Sequence, residues 1–216
     1  LLFAACNKLT LDGLSDLTTL EAHEDVEYLV LSHWYAIDSL NLEPIRKLSR
    51  LRFLCLATDH SWDGTNRNLL VDSFQPLESL HNLEMLHILG VYPKNGGVEP
   101  IARIPNLRKI SIGNTNKYQL EDFAILSSLR PNLEGASPID QMNFLTKCKK
   151  CNERYELYLN GTKPGAKRFA CPKCNINLIR KHLQLWNVHG GVPAFHDVSK
   201  LDPDTIYQLF RNPLAR

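Results

Sequence analysis

The sequence has no apolar run approaching the roughly 18 residues that cross a bilayer as a helix, so it offers no candidate membrane-spanning segment. It also lacks a phosphate loop, a dinucleotide fingerprint, a nucleophile elbow and a His-Glu-x-x-His pair. Asp59, His60 and His87 fall into no catalytic set, and no enzymatic role is expected. Neither sign of charge dominates: 25 Lys+Arg stand against 23 Asp+Glu, a net of +2. The chain as a whole therefore has no polyanion-binding character. Cysteine is scarce, with six in 216 residues, fewer than a disulfide scaffold uses. What remains is ordinary globular material, 44% hydrophobic and 22% charged. It is long enough for one or two domains with cores of their own.

The chain opens on Leu1 rather than Met, which reads as a start inside a longer chain. Leu2-Phe3-Ala4-Ala5-Cys6 loosely matches the end of a lipoprotein signal, but the charged region of such a signal is missing. Cys6 is read instead as a small buried residue of a first repeat.

A repeat runs through the first two thirds. Val26–Leu31, Leu51–Leu56, Leu83–Ile88 and Leu107–Ile112 each read L-x-x-L-x-L with aliphatic substitutions, their starts 25, 32 and 24 residues apart. Before the last three, Pro44-Ile45, Pro76-Leu77 and Pro100-Ile101 open frames with apolar residues every three positions. Proline suits a first helical position, and the spacing puts one face of a short helix or 3₁₀ turn inward. Each unit is strand, loop, short helix, and must stack on neighbours to bury its apolar face. Leu2-x-Ala4-x-x-Asn7-x-Leu9 is read as the tail of an earlier unit. Phe123-x-x-Leu126-x-x-Leu129, leading to Asn132-Leu133, is read as a decaying sixth. His60–Asn68 is a polar insertion expected to bulge as a loop.

Over about residues 1–136 these frames resemble the leucine-rich repeat family. The family's usual Asn after the strand is replaced by Trp34, Asp59, Val91 and Thr115. The resemblance implies an α/β solenoid with a parallel sheet on its concave face, where such proteins bind other macromolecules. Outward strand positions would be Tyr28, Val30, Phe53, Cys55, Met85, His87, Lys109 and Ser111. Of these, Tyr28, Val30, Phe53, Met85, His87 and Lys109 are the candidate partner-binding residues, since an exposed aromatic and Met stripe suits a protein partner.

Cys148-Lys149-Lys150-Cys151 and Cys171-Pro172-Lys173-Cys174 stand nineteen residues apart. Two such turns complete a tetrahedral four-thiolate shell. Between them, Tyr155, Leu157 and Leu159 alternate with Glu156 and Tyr158, a hairpin pattern with a turn at Asn160-Gly161 or Pro164-Gly165. The module resembles a zinc ribbon. Iron is the competing ion for soft thiolates, but Asn152 and Asn175 stand where iron-binding knuckles usually carry Gly. With all four ligands supplied by protein, a structural zinc is expected. The domains expected are 1–136 (repeats), 137–181 (zinc-ribbon-like module) and 182–216 (tail). In the tail Asp202 caps a short helix with Ile206, Leu209 and Phe210 on its apolar side. His182, His189 and His196 recur every seven residues, but Gly190-Gly191 and Pro193 break any shared helical face.

Charge is segregated. Residues 147–181 hold ten Lys/Arg and two acids, a net of +8, while the first 146 residues are net −6. The expected function is non-enzymatic protein recognition through the concave sheet, as an adaptor, effector or immunity-type protein. Reduced thiols point to the cytoplasm, and no membrane partner is expected. The alternative is nucleic-acid association through the basic module, at Lys149, Lys150, Lys167 and Arg168.

Overall fold

The computed structural model describes residues 8–12, 16–32, 39–57, 69–113, 117–140, 147–153, 156–163, 166–192 and 197–210. Cys6, Trp34, Asp59, the insertion 60–68, Thr115, Tyr155, Pro164-Gly165 and His196 lie outside them. The chain divides into two compact units. The first comprises Leu1–Asn114 with Asn132–Glu134, the second Thr115–Pro131 with Gly135–Arg216.

The first unit is built on a parallel sheet. Strands β1 (Lys8–Asp12), β2 (Tyr28–Ser32) and β3 (Phe53–Ala57) are followed by β4 (Leu69–Val71), β5 (Met85–Leu89) and β6 (Val91–Pro93). After the single turn of α1 (Glu99–Ala102) comes β7 (Lys109–Gly113). The main sheet runs β1-β2-β3-β5-β7, all parallel. Register is kept residue for residue, with Tyr28, Phe53, Met85 and Lys109 in one row. The longer step to β5 is absorbed by β4, which pairs in parallel with β6 as a second, shorter ladder. Pairing of Lys8 with Tyr28 and of Leu9 with Leu29 corrects the first frame. It is Cys6-x-x-Leu9-x-Leu11, not the one starting from Leu2.

Alternation explains this sheet. Leu29, Leu31, Leu54, Leu56, Leu86 and Ile88 have no exposed surface, each contributing about 1.5–3 kcal/mol of burial. The expected proline-led turns form over Glu43–Lys47 and Gln75–Ser79 as 3₁₀ helices, and over Glu99–Ala102 as one α turn. Their Ile45, Leu77 and Ile101 are fully buried. Mixed α/β with a parallel sheet and one short helix per unit is a leucine-rich-repeat-like organisation.

Two ladders outside the apolar core were not foreseen. Asn82 Nδ2 donates to Ser49 O at 2.7 Å, and Asn106 Nδ2 to His81 O at 2.6 Å. The family's Asn ladder after the strand is thus replaced, in these units, by amides just before it. The second ladder is charged. Backbone bonds run from Arg52 N to Glu27 O, Glu84 N to Arg52 O, Arg108 N to Glu84 O, and Glu134 N to Arg108 O. Signs alternate along that column. The Arg52 guanidinium meets Glu84 at 2.9 Å, and this hydrogen bond raises its pKa. Opposite charges on adjacent strands favour the pairing and like charges oppose it. Arg52→Glu, set between Glu27 and Glu84, should lower the melting temperature of this unit by a few degrees at low salt. High salt should recover much of the loss. An equal loss at all salt concentrations in thermal melts would refute the electrostatic account.

The decaying sixth unit is partly a helix. α2 (Leu120–Leu129) buries Phe123 and Leu126, but Leu129 is 53% exposed rather than inward. Asp122 accepts from Gln119 N at 2.7 Å and completes a capping box. Leu133 is buried and Glu134 bridges Lys109 in parallel, so the frame returns for one residue at the edge of the first unit.

In the second unit, β8 (Ile139–Asp140), β9 (Leu157–Leu159) and β10 (Phe169–Ala170) form an antiparallel sheet in the order β10-β9-β8. Helices α3 (Ile176–Val188) and α4 (Pro203–Phe210) complete it. Ile139, Leu157, Leu159, Ala170, Ile179, Leu183, Ile206 and Phe210 share one core. Asp202 caps α4 as expected, accepting from Asp204 N and Thr205 N at 2.8 and 2.9 Å. Leu209, expected inward, is exposed.

Candidate metal centre and open sheet face

Each cysteine pair forms a tight turn. Asn152 N donates to Cys148 O and Asn175 N to Cys171 O, both at 2.8 Å. Asn152 takes the left-handed conformation at φ 52°, which Asn tolerates better than most residues. Asn175 does not. It stands at the N-cap of α3 with φ −130°, and its Oδ1 accepts from Cys171 N at 3.2 Å and Lys167 Nζ at 3.0 Å. The second pair therefore opens a 13-residue helix. The module is a knuckle, a hairpin and a helix, and the expected boundary at residue 181 falls inside α3.

The four sulfurs lie within 4.8 Å of one another. Cys151 Sγ and Cys171 Sγ are 3.7 Å apart. Metal–sulfur bonds of 2.3 Å in a tetrahedron put sulfurs about 3.8 Å apart, so the donor set fits a tetrahedral ion. Cys148 and Cys171 are buried, Cys151 and Cys174 half-buried, and none of the four is in a disulfide. The amides of Cys151 and Lys150 hydrogen-bond to the Cys148 sulfur and hold its pKa down. Burial pushes the Cys171 thiol up, against the pull of the Cys174 and Lys173 amides. Cys174 is pushed up to about 12, by burial first and then by the other three thiols. Four thiolates this close repel one another, and a divalent cation is what offsets that repulsion. The residues can hold a metal ion, and soft, closed sulfur coordination is the chemistry of zinc or iron.

The other candidate residues lie on the open face of the parallel sheet. Met85 is 41% exposed, and Tyr28, Val30, Phe53, His87 and Lys109 are half-buried, while the residues alternating with them are buried. The Tyr28 and Phe53 rings stack at 6.1 Å. Lys109 pairs with Glu134 at 2.5 Å. Cys55 and His87 are register partners in the next row. Burial pushes the Cys55 thiol up and the His87 pKa down, so the middle of this face is uncharged at neutral pH.

The basic residues divide. Lys149 and Lys150 are exposed, Lys167 is held by Asn175, and Arg168 is half-buried. Lys173, between the second pair, meets Glu153 at 2.5 Å. His182, one of the heptad histidines, is buried with Nε2 2.9 Å from Pro138 O. His189 lies 3.4 Å from Glu121. Asn160, of the candidate Asn160-Gly161 turn, is 3% exposed, with Nδ2 donating to Ser137 O, so it is a packing residue in this fold. Among the described residues no helix is long and apolar enough to cross a membrane.

No family model matches the chain, and no curated protein matches it. Among solved structures it is similar to an internalin C2 from Listeria monocytogenes, at 22% identity and a TM-score of 0.35. The match covers 58% of this chain and 58% of that one.

Proposed function

We propose that this chain is a non-enzymatic protein-recognition module: a short leucine-rich repeat solenoid that binds a protein on its concave sheet, with a structural zinc in its second unit. The observation that carries the reading is the row Tyr28, Phe53 and Met85. Three large apolar side chains lie side by side on a face whose alternating residues fill the core. Apolar patches of this kind mark interaction sites, and aromatic residues dominate their energetics. The uncharged Cys55 and His87 of the next row widen the patch without a desolvation cost for charge. Zinc suits the four-thiolate shell, which leaves no ligand position open to a substrate. Four reduced thiols suit a cytoplasmic setting.

The test uses a photo-crosslinking residue at Tyr28 or Met85, with the captured protein identified by mass and then purified. Phe53→Ala should weaken its binding on the order of thirtyfold, a loss typical of a central aromatic, with the melt of the first unit little changed. Unaltered affinity in Phe53→Ala and Met85→Ala would remove the sheet face from the function.

A further inference from the structure

The basic charge of the second unit collects at its knuckles. Lys149 and Lys150 sit between the first two cysteines, and Lys173 between the last two, so all three adjoin sulfurs that lie within 4.8 Å of one another. Lys167 reaches the same place through Asn175 Oδ1, which also holds Cys171 N. Phe169 is two residues before Cys171, a reach of about 7 Å, and is 40% exposed. Tyr158 meets Phe169 edge-on at 5.2 Å and holds the ring in place.

The charge is larger than the metal centre needs. A divalent ion on four thiolates leaves that centre two negative charges, against the +8 of residues 147–181. Glu153 compensates Lys173. Among the described residues Lys167 bonds a neutral amide oxygen, and Lys149 and Lys150 are exposed, so three cations stand at the knuckles that Phe169 precedes by two residues. The row across the sheet is Asp140, Tyr158, Phe169, which puts the acid at the β8 edge, away from β10.

We propose that this knuckle surface binds single-stranded nucleic acid without regard to sequence, through phosphates on Lys149, Lys150 and Lys167 and a base stacked on Phe169. Cations alone would serve an acidic protein equally. The exposed, pre-oriented ring favours a base, which presents a π-face whatever its identity. Phosphate contacts carry no sequence information directly, so affinity should follow their number. This surface belongs to the second unit and the sheet face to the first, and neither reading depends on the other.

The test titrates a labelled oligothymidylate with the metal-loaded full chain, with polyglutamate as the acidic control. Three phosphate contacts on a single strand give a log–log salt slope of about −2. Lys149→Glu with Lys150→Glu should reduce oligonucleotide affinity at least tenfold, and Phe169→Ala on the order of tenfold. Metal content and melting should stay unchanged, and Phe53→Ala should bind the oligonucleotide normally. No binding at low salt would overturn the proposal. So would polyglutamate binding as tightly with Phe169→Ala indifferent, which would make the surface a dock for acidic proteins.

Discussion

Stripping the metal, or substituting Cys171→Ser, is expected to unfold the second unit while the parallel sheet of the first persists. The strands of the second unit are two, three and two residues long, too short to hold a sheet by pairing alone. Its core draws on pieces far apart in sequence, from Ile139 to Phe210. The thiolate cluster is the point where the first knuckle, the end of β10 and the start of α3 meet. Structural zinc contributes roughly 10–16 kcal/mol to small zinc-dependent domains, more than most domains have in total. The first unit has its own core and needs none of these ligands. Metal-resolved mass analysis should find one zinc per chain. After chelation, hydrogen exchange should show α3 amides losing protection while those of β3 and β5 keep theirs. Cys55→Ser, outside the cluster, should change neither. Protected α3 amides after complete loss of metal would refute the structural role, and iron in place of zinc would move the chain toward redox chemistry.

The repeat was legible because its signal is dense. In β2, β3, β5 and β7, alternate aliphatic residues fix which side faces inward, and a one-residue slip would have exposed every one of them. The same alternation directs Tyr28, Phe53 and Met85 outward. The first strand was misframed because residues 1–7 hold no proline to anchor the frame. The asparagine ladder was missed because the family pattern directs attention to residues after the strand. The repeated Asn-Leu at 82–83, 106–107 and 132–133 was the available signal. In the second unit the CxxC spacing specified the sulfur cluster fully, since two short turns leave little freedom. Helix α3 escaped notice for a physical reason. Just before its first turn stand two cysteines, a proline and an asparagine, all read as turn chemistry. The buried positions 179, 182–183 and 186 include a histidine whose burial depends on Pro138 O, 44 residues away. Long-range partners of this kind leave no local trace in sequence.

Gly161→Ala is expected to be the most damaging single-methyl change among the described glycines. Gly161 has φ +66°, where an L side chain costs about 1–2 kcal/mol. A Cβ there would stand 2.2 Å from Leu120 N, 2.4 Å from Leu120 Cα and 2.6 Å from Gln119 C. Those atoms are backbone at the start of α2, held by the capping box, and cannot rotate away as a side-chain tip would. Overpacking adds a further 1–3 kcal/mol, for a total of about 2–5 kcal/mol. The neighbours amplify the effect. Asn160 is buried with Nδ2 on Ser137 O, and its Oδ1 has no partner among the described residues, so a shifted turn would disturb a tightly packed polar group. Gly190→Ala is the control. Its φ is +78°, with nothing within 4 Å of the added Cβ. It carries the conformational cost without the overlap. Exchange protection in α2 and α3 should therefore fall much further in Gly161→Ala than in Gly190→Ala. Equal losses would mean that the backbone of Gln119 and Leu120 does not press on the turn.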